Sequence, residues 1–146
     1  MTPPTTLLRG RCHCGNIEVT FESNLALDRL PVRACTCSFC TAHGARNTSD
    51  PNGRVALLVH DASELIRYRF GLKTADFLVC RKCGVYIGAV LADGEARYAS
   101  INLNTIAAPD DFAAKATPVS YDHETEADRR SRRKRAWTPV VSFVAS

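Results

Sequence analysis

Cys12-His13-Cys14-Gly15-Asn16-Ile17-Glu18-Val19-Thr20-Phe21-Glu22 places a turn carrying two thiols directly in front of a strand. Apolar Ile17, Val19 and Phe21 alternate with polar Glu18, Thr20 and Glu22, the period of a strand with one buried face. A structural zinc takes four tetrahedral ligands, and a short spacing lets one turn supply two of them. A second pair stands in Cys80-Arg81-Lys82-Cys83-Gly84. Joining Cys12 and Cys14 to Cys80 and Cys83 gives a closed four-thiolate site that ties the first strand to one far along the chain. The alternative is four thiols that are merely buried, since free cysteine packs as a small hydrophobe.

The strand pattern continues outward from there. Pro31 to Ala34 reads as extended, and Val55 to His60, Leu65 to Phe70 and Ala75 to Cys80 read as short strands at hairpin-like spacing. Val85 to Leu91 and Ala96 to Leu103 flank the turn Asp93-Gly94, a good hairpin signal. Thr41 to Arg54 has no apolar period and reads as a long polar loop, the kind of segment that often carries function. Pro109 to Ala116 has a short helix start, and Glu124 to Arg135 places acidic residues before basic ones, the order that suits a helix dipole. Trp137 to Val144 is an apolar tail. The expectation is a mainly β protein of short strands with one or two minor helices.

At 146 residues the chain fits one domain, 1–146, with 1–8 a loose lead-in and 123–146 a basic C-terminal extension. A hydrophobic content of 45% with 23% charged residues is ordinary for a soluble protein, and no apolar run reaches the ~18 residues of a membrane span. Met1 to Arg9 lacks the basic start and long apolar stretch of a signal peptide, which points to a reducing cytoplasm and to metal rather than disulfides. The formal charge of +4 is concentrated in Arg129, Arg130, Arg132, Arg133, Lys134 and Arg135; without them the balance is negative. Thiolates bound to zinc lower the total further.

Pairing four of the seven cysteines leaves Cys35, Cys37 and Cys40 of Cys35-Thr36-Cys37-Ser38-Phe39-Cys40. Zinc with three protein ligands keeps a fourth position for water or substrate, the mark of a catalytic site. Alternatively His43, three residues past Cys40, closes the site as its fourth ligand. Cys37 and Cys40 also form a Cys-x-x-Cys pair, but a redox dithiol of the thioredoxin type wants a βαβ setting, and strands surround this one.

Taken together, Gly10-Arg11-Cys12-His13-Cys14-Gly15, Cys35-Thr36-Cys37-Ser38-Phe39-Cys40 and Cys80-Arg81-Lys82-Cys83-Gly84 resemble, in order and separation, the glutathione-dependent formaldehyde-activating enzyme family, which includes the domain of centromere protein V. The resemblance covers about residues 8 to 115. It implies coiled β-sheets known as a β-tent, a structural zinc on Cys12, Cys14, Cys80 and Cys83, and a catalytic zinc on Cys35, Cys37 and Cys40. The implied reaction joins glutathione to formaldehyde as S-(hydroxymethyl)glutathione, formally the reverse of a carbon-sulfur lyase. Its partners are a small thiol and a small aldehyde.

An open zinc position can take a thiol as thiolate or polarise an aldehyde oxygen. Three thiolate ligands make the ion a weak Lewis acid, which favours thiolate delivery. Arg46 and Arg54, in the polar stretch after the cysteines, are the candidate clamps for the glutathione carboxylates. A competing function is a non-catalytic zinc module that binds a macromolecule through Arg129 to Arg135. Nucleic acid is disfavoured as that partner, because Glu124, Glu126 and Asp128 can pair with the run and no aromatics interleave it.

Overall fold

The computed structural model describes residues 4–106 and 116–146. Eleven strands make an open mixed sheet: β1 (Thr6–Arg11), β2 (Ile17–Ser23), β3 (Arg33–Cys35), β4 (Asn47–Thr48), β5 (Arg54–Val59), β6 (Leu65–Tyr68), β7 (Asp76–Cys80), β8 (Tyr86–Asp93), β9 (Ala96–Asn102), β10 (Thr117–Val119) and β11 (Thr138–Ala145). Two α-helices accompany them among the described residues, α1 (Ser38–His43) and α2 (Glu126–Ala136). The protein is mainly β, as its alternating patterns predict. None of the described helices is long and apolar enough to cross a membrane.

One path through the sheet runs β1-β2-β5-β11-β9-β4-β3-β10, and β6, β7 and β8 join it through β9. The β1-β2-β5 part is antiparallel and in continuous register, with Phe21 opposite both Leu8 and Val55. β11 holds the two parts together. Its first residues, Thr138 and Pro139, pair antiparallel with β9; after a register shift between Val140 and Ser142 it runs parallel to β5. The tail from Trp137 is thus a central strand of the sheet, buried at Trp137 and Thr138 and exposed at Val141 and Val144.

Two apolar clusters result. The larger gathers Ile17, Val19, Phe21, Val55, Leu57 and Ile101, and reaches Cys12 and Cys80 at one end. The smaller gathers Phe77, Tyr86, Ala89, Leu91 and Trp137 around Cys40, with Cys35, Cys37 and Phe39 packed against it. β8 is buried from Tyr86 to Leu91 and supplies both clusters, which explains its unbroken apolar run. At Gly88 an added Cβ would lie 2.6 Å from the Ser100 carbonyl oxygen, so β8 and β9 approach as closely as they do only because no side chain intervenes.

Two expectations are corrected. Order begins inside the supposed lead-in, because β1 starts at Thr6, whose hydroxyl donates to the Leu25 carbonyl at 2.7 Å. The supposed long loop from Thr41 to Arg54 is instead the end of α1, strand β4 and a short turn whose tip, Pro51 and Asn52, is exposed. Asn47, Thr48, Ser49 and Asp50 are all buried. Asp50 accepts from Ser23 Oγ at 2.6 Å and its N–H donates to Thr138 Oγ1 at 2.8 Å, Ser49 Oγ donates to the Ala136 carbonyl at 2.7 Å, and Asn47 Nδ2 donates to Cys40 Sγ at 3.8 Å, while Asn47 Oδ1 and Thr48 Oγ1 are left without a protein partner. Polar residues buried in this way leave no hydrophobic period to read. Nearly all of the short helix anticipated from Pro109 to Ala116 lies outside the described residues.

Candidate functional site

Two turns of the same design bring the outer cysteines together. After β1, Cys12 donates its N–H to Ile17 O, and Gly15, at φ +85°, lets the chain reverse. After β7, Cys80 donates its N–H to Val85 O and Gly84 turns at φ +77°. The four sulfurs of Cys12, Cys14, Cys80 and Cys83 lie within 4.8 Å of one another. Cys14 Sγ is 3.7 Å from Cys12 Sγ and 3.6 Å from Cys80 Sγ. Zinc–sulfur bonds of ~2.3 Å in a tetrahedron put sulfurs about 3.8 Å apart, so the cage fits that ion.

Without a cation these four groups are at odds. Burial pushes the Cys80 thiol up to about 12 and raises Cys12. Burial opposes ionisation of Cys83 as well, but N–H groups of Cys14 and Val85 directed at its sulfur hold it down to about 6. A dication resolves the conflict by letting all four ionise.

The inner group forms at the junction of β3 and α1. Cys35 ends β3, Cys37 is the N-cap of α1, and Cys40 is the third residue of that helix, with its side chain buried. Cys37 Sγ accepts the Cys40 N–H at 3.4 Å, and Cys40 Sγ accepts from Asn47 Nδ2 at 3.8 Å. The three sulfurs lie within 4.8 Å of one another. Hydrogen bonds from Cys35 and Cys40 hold Cys37 down to about 2, and the same crowding raises the other two thiols. Three sulfurs that share one charge in this way are a donor set suited to a soft cation. The cluster does not take in the ring nitrogens of His43; that ring is exposed and rests on Phe39, centroids 4.5 Å apart.

A cleft of about 340 Å³ opens over these sulfurs. Its lining combines aromatic Phe70, Phe77, Tyr86 and Trp137 with cationic Arg33, Arg129, Arg132 and Arg133. Burial beside the cysteine sulfurs raises Tyr86 well above its usual range, so its phenol keeps its proton. Arg33 donates to Ser49 Oγ at 2.7 Å. Arg132 stacks on the Tyr121 ring at 3.4 Å and grips Glu124 with two bonds of 2.8 and 3.0 Å. Arg133 is 8% exposed, lies over the Trp137 ring and donates to Thr74 Oγ1 at 2.6 Å. Its Nε has no partner, and burial lowers its pKa to about 10.

The structure thus gathers the cysteines as anticipated and distributes the arginines differently. Arg46 donates to Asn104 Oδ1 at 2.7 Å, and Arg54 is exposed at the start of β5 opposite Glu22; neither lines the cleft. β4 returns only Asn47 to the site, at Cys40 Sγ, and Arg46 beside it is held by Asn104 instead.

The model of the glutathione-dependent formaldehyde-activating enzyme family matches residues 7–121. The chain belongs to this family. Both cysteine clusters fall within the matched span. A crystal structure of a Rhodobacter sphaeroides protein superposes with a TM-score of 0.56 at 26% identity, covering 78% of this chain and 100% of the other. No curated protein matches the chain.

The formaldehyde-activating family model ends just before α2, yet three of the four cleft arginines stand on α2. The basic run that reads in sequence as a free extension is a roof. Of its other members, Arg130 donates to the Ala92 carbonyl, Lys134 pairs with Asp93 at 3.2 Å and Arg135 donates to Ser131 Oγ. Besides the acidic-to-basic order along the run, Thr125 with Asp128 form the capping box that starts the helix.

Proposed function

We propose that the cleft adds glutathione, or a thiol of similar charge, to formaldehyde or another small aldehyde, giving the S-(hydroxymethyl) adduct. The observation that carries this reading is the three-sulfur cluster of Cys35, Cys37 and Cys40 at the base of a cleft walled by four arginines. Zinc held by the three thiolates would supply a fourth coordination position at which a thiol gives up its proton or an aldehyde oxygen is polarised.

The chain's own residues do the rest. Glutathione carries two carboxylates, and Arg33, Arg129, Arg132 and Arg133 are placed to hold them and so to orient the thiol over the sulfurs. Phe77, Tyr86 and Trp137 form a dry wall that slows competing hydration of the aldehyde. The Cys12, Cys14, Cys80 and Cys83 cage fixes the far end of β7 and β8, on which Phe77 and Tyr86 stand.

The test is exchange NMR of glutathione and formaldehyde with the zinc-loaded chain. Adduct formation and breakdown should speed up in proportion to enzyme concentration, and the effect should vanish in Cys37→Ser. Exchange at the uncatalysed rate, with glutathione and with other cellular thiols, would rule the reading out.

A further inference from the structure

A second cavity, of about 500 Å³, lies outside the thiol cleft and takes no part in the chemistry above. Its walls come from five parts of the chain that the sheet brings together: β6, the 73–75 turn with β7, the β8–β9 hairpin, α2 and β11. It holds five cations, Arg67, Arg69, Lys73, Arg97 and Arg130, and one carboxylate, Asp76. Asp76 is already engaged by Arg69 Nε and sits 3.7 Å from Arg67 Nη1.

Charge bookkeeping gives the cavity its significance. The chain has 19 Lys and Arg against 15 Asp and Glu. Five cations against Asp76 alone give the cavity a local excess of four positive charges, and only Arg130 among them belongs to the basic run 129–135. The cations are also held in place. β6 and β9 are separated in the sheet by β7 and β8, yet Arg67 and Arg97 both meet the Phe143 ring of β11, at 5.0 and 5.6 Å from its centroid. Arg130 is anchored by a bond of 3.1 Å to the Ala92 carbonyl. Like charges gathered around one shared aromatic ring, with a single carboxylate among them, are short of counter-charge.

We infer that this groove binds a multivalent oxyanion of the phosphate class, the size and charge of a pyrophosphate group. A single carboxylate or a halide leaves most of the charge unmatched. Forked guanidinium donors arriving from separate strands suit an anion with oxygens on several sides.

The probe is inorganic pyrophosphate, titrated calorimetrically into the full zinc-loaded chain at low and at physiological salt. One saturable site whose affinity falls as salt rises is expected. The double variant Arg67→Gln with Arg97→Gln, checked for native fold by circular dichroism, should weaken binding about ten-fold or more. Arg54→Gln, which removes one charge elsewhere, should change it less than about two-fold. The inference is overturned by any of four results: no saturation, equal weakening by Arg54→Gln, loss of binding in Arg33→Gln, which would place the anion in the thiol cleft, or a short single-stranded oligonucleotide that binds more tightly through the same arginines.

Discussion

Arg133 concentrates the chemistry of the site in one residue. Its guanidinium is buried over Trp137, bonded to Thr74, and left with an unpaired Nε beside the cleft. An unpaired buried cation is costly unless a ligand completes it. Arg133→Met keeps the length and removes the charge, so stability should shift by no more than about 1 kcal/mol in either direction. The KM for glutathione should rise about ten-fold, while 2-mercaptoethanol, which lacks a carboxylate, should be little affected. Steady-state kinetics with both thiols checks this; equal losses for the two would assign Arg133 a packing role only. The cysteines make a matching pair of tests. Cys37→Ser should lower zinc content by about one ion per chain with the fold intact, whereas Cys80→Ser should lower the melting temperature by more than about 10 °C. Metal analysis and thermal unfolding separate the two. Both clusters were legible in the sequence because a thiol's affinity for soft metals belongs to the residue type and its spacing. The arginine wall was not, because which guanidinium reaches the cleft depends on where β11 and α2 dock, and neither docking leaves a local pattern.

At the scale of elements, α2 is the part that sequence reading undervalued. It has almost no apolar face, since its stripe is made of arginines that bury their stems, with Arg129 and Arg132 paired to Glu124. Glu124 anchors it, and hydrogen bonds from Arg132 hold that carboxyl below its ordinary 4.5. A depressed folded-state value means the stabilisation is complete above pH ~4.5 and lost as pH falls through the folded-state value. Glu124→Gln should therefore cost about 1.5–3 kcal/mol near neutral pH, and its difference from wild type should shrink in more acidic solution. Urea unfolding of both proteins across pH 3 to 7 would follow this, and a difference constant with pH would exclude the ion pair as its cause. The strands show the opposite case. β2, β5, β8 and β9 were readable because one or both faces are apolar. β4 was not, because Asn47 and Thr48 are polar residues enclosed between β3 and β9, and their burial leaves no apolar pattern.

For the whole molecule, the two metal-capable groups differ in what rests on them. The four-cysteine cage joins the ends of β1 and β7 and touches the main core through Cys12 and Cys80. The three-cysteine group opens on a cleft. Removal of zinc by a chelator should therefore proceed in two phases: one equivalent leaves while the far-ultraviolet circular dichroism holds, and the second leaves only as the fold is lost. Release in a single phase coincident with unfolding would contradict the division of roles. The mainly β class was legible from strand periodicity alone. The path of the sheet was not, because its central connection is made by residues that read as a tail.

That connection bears on how the protein is made. β11 comes after every other strand in the chain, yet it lies between β5 and β9 and is the strand that links the β1-β2-β5 part to the rest. On the ribosome, at ~5–20 residues per second, the earlier strands emerge and pair within their own parts. The two parts then wait, with the edges of β5 and β9 open, until residues 138–145 clear the exit tunnel. A force-sensing arrest peptide placed at successive distances along the nascent chain should report little pulling until that point and a single late event after it. During that interval the nascent chain depends most on whatever shields open strand edges.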